Sequence, residues 1–311
     1  MIDIITAIGT VFILILLGSL LRIKSIPSEE YWLYADKLVY WILFPSFLFY
    51  KTSTITLTGD LLGPISQTLL AGMVLSVIFA WTVSRWKNIE SAPCSSVVQG
   101  AGRHNTFIAL AIAESLFGEK GLMIATLSTA ILVPVTNLVI VITLVIILNK
   151  GHQQMVRKIS GDLLRNPLII SIFLGFVANL AGFKSIPVIH DATGLLGSAT
   201  LPIVLLCIGA SIQFSGLKKS LKPLLISSIA KFIIFPAVVF SIVLLVEVPP
   251  EIAIILIIYA ATPTAASGFA LARQMGGDYK LMASIISNQT LASFITLPLT
   301  IYMAIKYLGL E

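Results

Sequence analysis

Two short polar stretches interrupt long apolar segments of this 311-residue chain, and both carry groups able to bind a ligand. The first, GAGRHNTFIAL at residues 100–110, offers a guanidinium, an imidazole, an amide and a hydroxyl in succession. The second, AATPTAASGFAL at residues 260–271, places a proline between two threonines. Because a guanidinium pairs with a carboxylate through two parallel hydrogen bonds, the first stretch favours an organic anion as ligand. The candidate binding residues are Arg103, His104, Asn105, Thr106, Thr262, Pro263 and Thr264.

Composition places these groups inside a membrane. A mean hydropathy of +1.01, with 57% apolar and 11% charged residues, excludes an ordinary soluble domain. Apolar segments long enough to cross a bilayer recur along the chain, so the sequence predicts an all-α polytopic membrane protein. The first segment lacks a basic leader and a small-residue cleavage site, and we expect it to be a retained span.

We predict ten membrane-spanning helices and an orientation for them. One set of loops holds most lysines and arginines, which places it in the cytoplasm and both termini outside a cell (inner) membrane. These basic residues set topology, so no nucleic-acid partner is expected. The hydrophilic stretch 149–165 is predicted to be a cytoplasmic linker. The predicted spans are 4–22, 31–51, 62–84, 96–117, 121–148, 166–183, 191–213, 222–246, 252–273 and 280–306.

The sequence nearly repeats itself after about 160 residues. IKSIP at 23–27 returns as FKSIP at 183–187. Each copy holds an odd number of spans, so the second copy enters the membrane upside down. The predicted halves are residues 1–152 and 153–311. Inverted repeats are typical of secondary transporters, whose binding site lies between the copies near the midplane.

The repeat aligns the two polar stretches with each other. Pro263 cannot donate a backbone hydrogen bond and clashes with the preceding turn, so its helix should unwind there. Non-helical backbone at that depth is tolerated only where protein or an aqueous cavity satisfies it. We therefore expect two interrupted helices that cross near the bilayer centre and direct free N–H groups at a ligand.

Several of these residues have two open interpretations. A buried arginine costs roughly 2.5–3.5 kcal/mol on insertion scales, so Arg103 should face a cavity or a partner. Alternatively, its side chain extends to the nearby cytoplasmic interface. His104 is either a satisfied neutral donor or a proton carrier. The flanking amide and hydroxyl groups either contact the ligand or bond freed backbone groups.

Four polar residues in other spans are further candidates. Asn137, Asn288 and Gln289 either line the cavity or form hydrogen bonds between helices. Lys231 lies about 13 Å into its predicted helix, too deep for easy escape to the interface. It either faces the cavity or pairs with a carboxylate.

These motifs resemble the auxin efflux carrier family. The resemblance rests on an R-x-N step at 103–105 followed by a glycine-terminated helix at Gly118. It also rests on P-T-A-x-x-x-x-x-L-A at 263–272 with a following G-x-D at 276–278. Two further segments are similar to the second half of the family: NPLIISIFLGFVANL at 166–180 and TLPIVLLCIGASI at 200–212.

The resemblance implies ten helices in two inverted five-helix repeats, with broken fourth and ninth helices that cross. Helices 1, 2, 6 and 7 would form a scaffold, and helices 3–5 and 8–10 a transport domain that moves against it. The family includes plant auxin exporters and bacterial carriers assigned to malonate, malate or related anions. This chain lacks the long plant cytoplasmic loop and has His104 where plant members commonly have proline, so the bacterial type fits better. A homodimer through the scaffold is a family-level expectation.

The sequence thus favours a secondary carrier of a small organic anion, a mono- or dicarboxylate, that works by alternating access and is coupled to protons or sodium. The alternative is a sodium-coupled symporter of the bile-acid type, although the crossover segments contain no carboxylate for sodium. A passive channel or a receptor also remains open. We expect no enzymatic activity, cofactor or metal site, because the sequence contains no catalytic or metal-ligand motif.

Overall fold

The computed structural model describes residues 2–55, 59–149, 165–183, 186–212, 221–246 and 248–309. All regular secondary structure in these ranges is helical. Six helical segments are long and apolar enough to cross a membrane, and they are Ile5–Ile23, Leu62–Trp86, Ser91–Leu148, Ile189–Ser211, Leu221–Leu245 and Tyr279–Leu308. The chain is therefore a multi-pass helical membrane protein. The predicted linker, apart from its two end residues, and the boundary at residue 152 lie outside the described residues.

Six α-helices are described in the first half. A π-helical turn, Val39–Leu43, joins α2 to α3, and Pro45 follows it in the first turn of α3, where its missing N–H costs little. Gly118 interrupts α6 with a left-handed φ of 59°, a conformation that glycine adopts without a steric penalty. The helices are α1 (Ile2–Ile23), α2 (Glu29–Leu38), α3 (Phe44–Thr54), α4 (Gly59–Trp86), α5 (Ser91–Gly102) and α6 (Thr106–Leu148).

The second half has a similar pattern of long and interrupted helices. A second π-helical turn, Ala230–Ile234, joins α9 to α10 and again precedes a proline, Pro236. The helices are α7 (Pro167–Leu180), α8 (Ile189–Ser211), α9 (Leu221–Ile229), α10 (Phe235–Leu245), α11 (Pro250–Ala261), α12 (Ser267–Met275) and α13 (Tyr279–Leu308). The helix bounds lie within a few residues of most predicted span bounds, but only the six segments named above have the length of a span, and α7 and α11 are shorter apolar helices. The ten-span arrangement stays a prediction.

Helices α1, α3, α7 and α8 form a packed row, in which α1 lies against α8, α8 against α3, and α3 against α7. Glycines permit this approach: a Cβ built on Gly209 of α8 would overlap the carbonyl oxygen of Ile15 in α1. In the same contact, a Cβ on Gly18 would overlap the carbonyl oxygen of Leu206. Since the helix backbones themselves touch, van der Waals contact rather than side-chain interdigitation stabilises this pair.

One end of α3 is held by polar groups from α7 and α8. The amide nitrogen of Asn179 lies 2.7 Å and 2.8 Å from the carbonyl oxygens of Ile55 and Ser53. His190 accepts a 2.8 Å hydrogen bond at Nδ1 from the backbone N–H of Ile186, and its Nε2 lies 2.9 Å from Ser53 Oγ. The last carbonyls of α3 have no partner within their own helix, and Asn179 supplies hydrogen bonds to them inside the protein.

Around α5, a second set of helices packs together. Helix α5 contacts α4, α6, α9 and α13, and α11 contacts α6, α10 and α13. Fewer contacts connect this set to α1, α3, α7 and α8. The polar stretches of the sequence both belong to the second set.

The glycine contact between α1 and α8 generates a stability prediction. Gly209→Ala should destabilise the protein by about 1–3 kcal/mol, because the added methyl meets backbone that cannot move independently. Gly9→Ala in α1 is the matched control, since nothing lies within 4 Å of a Cβ built there. It should be neutral or stabilise by about 0.5–1 kcal/mol through its helix propensity. Thermal unfolding in detergent measures both, and equal melting temperatures would contradict the proposed close packing.

Candidate functional site

The first break in the helices lies between α5 and α6. Arg103 is extended, with φ −74° and ψ 151°, and helical geometry resumes at Thr106. Asn105 acts as the N-cap of α6, because its side-chain oxygen accepts a 3.2 Å hydrogen bond from the backbone N–H of Ile108. Asn105 therefore bonds freed backbone, the second of its two predicted roles.

The second break lies between α11 and α12, and it confirms the prediction from Pro263. Helix α11 ends at Ala261, Thr262 is extended with φ −63° and ψ 149°, and α12 begins at Ser267. The hydroxyl of Thr262 donates to the carbonyl of Tyr259 at 2.9 Å. The segment between α11 and α12 is non-helical because Pro263 has no backbone N–H to donate and its ring would clash with the preceding helical turn.

Gln289 of α13 connects the two breaks. Its Oε1 accepts from the backbone N–H of Thr264 at 3.0 Å, and its Nε2 donates to the carbonyl of Gly100 at 3.2 Å. The same nitrogen lies 3.0 Å from the hydroxyl of Ser227 in α9. The hydroxyl of Thr264 completes the connection with a 3.3 Å bond to the carbonyl of Gln99. The interrupted segments thus meet directly, and Gln289 has the predicted interhelical role.

Arg103 lies in the interior beside this meeting point. Only 6% of it is exposed, so the alternative in which it reaches the interface does not hold. Its Nη1 donates to Ser267 Oγ and its Nη2 to Asn137 Oδ1, both at 3.1 Å. Its Nε has no hydrogen-bond partner. Because both partners are neutral oxygens, they leave the positive charge unbalanced.

Lys231 is a second buried cation next to the first break. It is fully buried in the π-helical turn, and its Nζ has no hydrogen-bond partner and lies 4.3 Å from the ring centroid of Phe235. The hydroxyl of Ser76 lies 2.9 Å from the carbonyl oxygen of Ala230 and 3.2 Å from that of Ala101. One side chain therefore joins the backbone beside Lys231 to the backbone just before Arg103.

His104 is buried with two unused ring nitrogens. Its ring centroid lies 5.8 Å from that of Tyr259. The Tyr259 hydroxyl is already engaged, at 2.6 Å from Thr129 Oγ1 and 2.5 Å from the carbonyl oxygen of Ala125. The interpretation of His104 as a satisfied donor is therefore wrong for this structure, and its hydrogen-bonding capacity is free.

Gln99 is a residue that the sequence analysis missed. It is fully buried, and neither the oxygen nor the nitrogen of its side-chain amide has a partner. A signal was present, because Gln99 directly precedes the first polar stretch and lies one helical turn before Arg103. We refer to Gln99, Arg103, His104 and Lys231 as the crossover cluster.

Charge at the crossover cluster is one-sided. No aspartate or glutamate belongs to the buried residues in the described part of the chain. Each ion pair found there, Lys51–Glu119 at 3.4 Å and Lys120–Glu251, has at least one exposed side chain and contains no residue of the crossover cluster. Within the same described ranges, no group of His, Cys, Asp and Glu is arranged to hold a metal ion. The arrangement can therefore donate hydrogen bonds to an anion.

The other predicted residues differ in how they relate to the breaks. Thr106 and Thr264 are buried. Asn137 is joined to the cluster through Arg103. Asn288 is half-buried and donates to the carbonyl of Ser284 in its own helix at 2.8 Å, so this bond does not connect it to the breaks.

The bridge through Gln289 generates a second prediction. Gln289→Ala leaves the N–H of Thr264 and the carbonyl of Gly100 unpaired in a dry interior, at a cost of about 1–3 kcal/mol each. Asn288→Ala is the matched neighbour, and it should change stability by less than about 0.5 kcal/mol because it removes only a bond within one helix. Melting temperatures in detergent compare the two. A smaller loss for Gln289→Ala than for Asn288→Ala would show that the breaks do not depend on this amide.

Comparisons with known proteins agree with a membrane transporter. The family model described as "Membrane transport protein" matches residues 153–301. An uncharacterized transporter of Methanothermobacter thermautotrophicus is 22% identical over 308 residues, covering 93% of this chain and 95% of the relative. The uncharacterized transporter MJ1031 of Methanocaldococcus jannaschii is 26% identical over 297 residues, with the same coverage. The chain is thus similar to these transporters over most of its length, and its second half, which contains the second broken helix, matches the family model.

Proposed function

We propose that this protein is a secondary transporter that moves a small organic anion by alternating access. The observation that carries the proposal is the positive charge of the Arg103 guanidinium, which is buried in the crossover cluster with neutral hydrogen-bond partners and no carboxylate. A charge removed from water is costly unless it is paired and hydrogen-bonded. A bound anion supplies that pairing.

The unused groups of the crossover cluster suit a carboxylate. Arg103 Nε, Lys231 Nζ and Gln99 Nε2 are donors without partners. A carboxylate accepts several such bonds, and charge-assisted bonds are stronger than neutral ones. The cluster lies where two interrupted helices meet, which is the typical place for substrate in carriers with broken helices.

A sodium-coupled symporter of the bile-acid type receives less support. Hard cations prefer carboxylate, carbonyl and water oxygens as ligands. The crossover cluster instead supplies mostly positive and donor groups, which repel a cation. Coupling to protons or to sodium elsewhere in the protein remains part of the proposal.

The proposed movement uses two helix groups. Ten spans in two inverted repeats would place α1, α2–α3, α7 and α8 in a scaffold and the remaining helices in a transport domain. The close packing among α1, α3, α7 and α8, and the fewer contacts to the other helices, support this division. The scaffold would also mediate a homodimer, and both termini would lie outside the cell (inner) membrane.

If the proposed function is correct, two substitutions should reduce transport of the substrate. A thermal-shift screen of mono- and dicarboxylic acids, repeated across pH and sodium concentration, first identifies an acid that raises the melting temperature by mass action. Arg103→Ala should then weaken counterflow of that labelled acid in proteoliposomes by about 30-fold or more, because it truncates one partner of a buried charge pair. Asn105→Ala should also abolish counterflow by releasing the start of α6.

Arg85→Gln is the control for these variants, since Arg85 is exposed at the end of α4. It should transport like the wild type. All variants are first checked for a monodisperse elution profile. Wild-type counterflow by folded Arg103→Ala and Asn105→Ala proteins would remove the proposed site.

The proposed orientation has its own test. Alkaline phosphatase fused after residue 311 should be active in a bacterial host, because that enzyme folds only outside the cytoplasm. The same enzyme inserted in the 149–165 stretch should be inactive, since basic loops stay in the cytoplasm. The reverse pattern would invert the topology.

A further inference from the structure

We propose that the ion pair between Lys51 and Glu119 is a latch, which holds α3 against α6 and limits the width of the cleft between them. The proposal goes beyond the proposed function, which moves one helix group against the other but names no contact that controls the movement. It takes from that function only the division of the helices into two groups.

The pair joins one helix group to the other. Lys51 lies in the last turn of α3, in the row that α3 forms with α1, α7 and α8. Glu119 lies in α6, which packs against α5 and α11 in the second set. The Nζ of Lys51 lies 3.4 Å from each carboxylate oxygen of Glu119. A change in the separation of α3 and α6 at this end therefore has to break the pair.

The two ends of α3 contact α6 in different ways. At the first residue of α3, the ring of Phe44 lies 4.5 Å from the ring of Phe107, centroid to centroid, and Phe44 is buried. At the other end, the contact is the ion pair, and the carboxylate side chain is 89% exposed. An apolar contact in the interior is costly to open, whereas an exposed ion pair is weak. The end with the ion pair is thus the one that opens more readily.

Lys51 is fixed to its own helix group. Asn179 of α7 donates hydrogen bonds to the carbonyls of Ser53 and Ile55, and these bonds hold the end of α3. The Lys51 side chain is only 18% exposed, and its Nζ lies 5.8 Å from the ring centroid of Tyr50. The position of the ammonium group is therefore set within the row of α3.

A tight turn in α6 presents Glu119. Gly118 has φ 59° and ψ −146°, a combination that is almost confined to glycine. A Cβ built on Gly121 would overlap the carbonyl oxygen of Ala113, although the two residues would lie about 12 Å apart along a continuous helix. The chain therefore turns back on itself at Gly118, and the second part of α6 packs against the first. Glu119 lies at this turn.

A cleft of about 510 Å³ lies beside the ion pair. One wall comes from the end of α3 and the other from α6, so the distance between the two helix groups sets its width. The lining residues are Tyr50, Lys51, Thr54, Ile55, Glu119, Lys120 and Met123. When the ion pair breaks, the two walls are free to separate.

The next residue of the same turn supplies a matched control. Lys120 pairs with Glu251 in the first turn of α11, and α6 and α11 pack against each other in the same set. The two pairs thus use consecutive residues of α6, but only Lys51–Glu119 crosses between the helix groups. Glu119→Lys and Glu251→Lys each replace an ion pair by two like charges, so they differ only in what the lost pair connects.

The reaction of a cysteine in the cleft measures its width. Ile55 lines the cleft and is 6% exposed. The parent protein is the full-length chain with Cys94→Ala, Cys207→Ala and Ile55→Cys, since both natural cysteines are buried and free. Its rate of reaction with N-ethylmaleimide is measured in detergent, and Met123→Cys in place of Ile55→Cys is a second reporter on the opposite wall. Only variants with the elution profile of the parent are compared.

Glu119→Lys should raise the reaction rate by about two- to fivefold, the range that the loss of one exposed ion pair produces. Lys51→Met, which removes the charge from the other side, should raise it in the same direction. Adding Lys51→Glu to Glu119→Lys restores opposite charges and should return the rate to that of the parent. Glu251→Lys should leave the rate unchanged. Salt at about 1 M should raise the parent rate, because it screens an exposed pair.

Three results would overturn the latch. They are an unchanged rate in Glu119→Lys and Lys51→Met, a raised rate that the double charge reversal does not restore, and an equal rise in Glu251→Lys. None of these measurements needs a transported acid or a membrane orientation. The latch is therefore tested separately from anion transport, and a failure of the counterflow prediction for Arg103→Ala would leave the labelling result as it stands.

Discussion

In a lipid bilayer, every backbone N–H and C=O must find a partner within the protein, and this constraint governs the centre of the molecule. Two helices stop there, at Gly102 and at Ala261. The amide of Gln289 satisfies one group from each side, and Asn105 caps the helix that restarts after the first break. The interruptions persist because a few side chains replace the hydrogen bonds that the helices lack.

The same constraint accounts for the chemistry of the crossover cluster. Once backbone groups are satisfied, the remaining polar atoms of Gln99, Arg103, His104 and Lys231 are free for a ligand. Unpaired polar atoms in a dry interior are costly, and natural structures retain them mainly where they have a function. The buried guanidinium of Arg103, with no buried carboxylate in the described part of the chain, is the reason that we propose an anion as the ligand.

Much of the fold followed from the sequence, because apolar segments and prolines act locally. Pro263 breaks its helix wherever the helix packs, and the apolar segments are helical in any bilayer. The sequence was less informative about Arg103, since whether it lies in the interior or at the interface depends on neighbours from α6 and α12. Gln99 was missed because an isolated glutamine in an apolar helix resembles any interhelical hydrogen-bonding residue. The π-helical turns left no local signal, because they arise from how the helix packs.

The sequence by itself determined the class of the protein, the approximate position of each apolar helix and the two places where helices are interrupted, because hydropathy and backbone chemistry are properties of short segments. Only the tertiary structure decided which polar side chains form hydrogen bonds within the protein and which have no partner. Gln289 forms hydrogen bonds with the backbone at both breaks. Lys231 is also a polar residue in an apolar helix, but its Nζ has no hydrogen-bond partner. That difference depends on distances between residues far apart in the chain, and packing alone sets those distances.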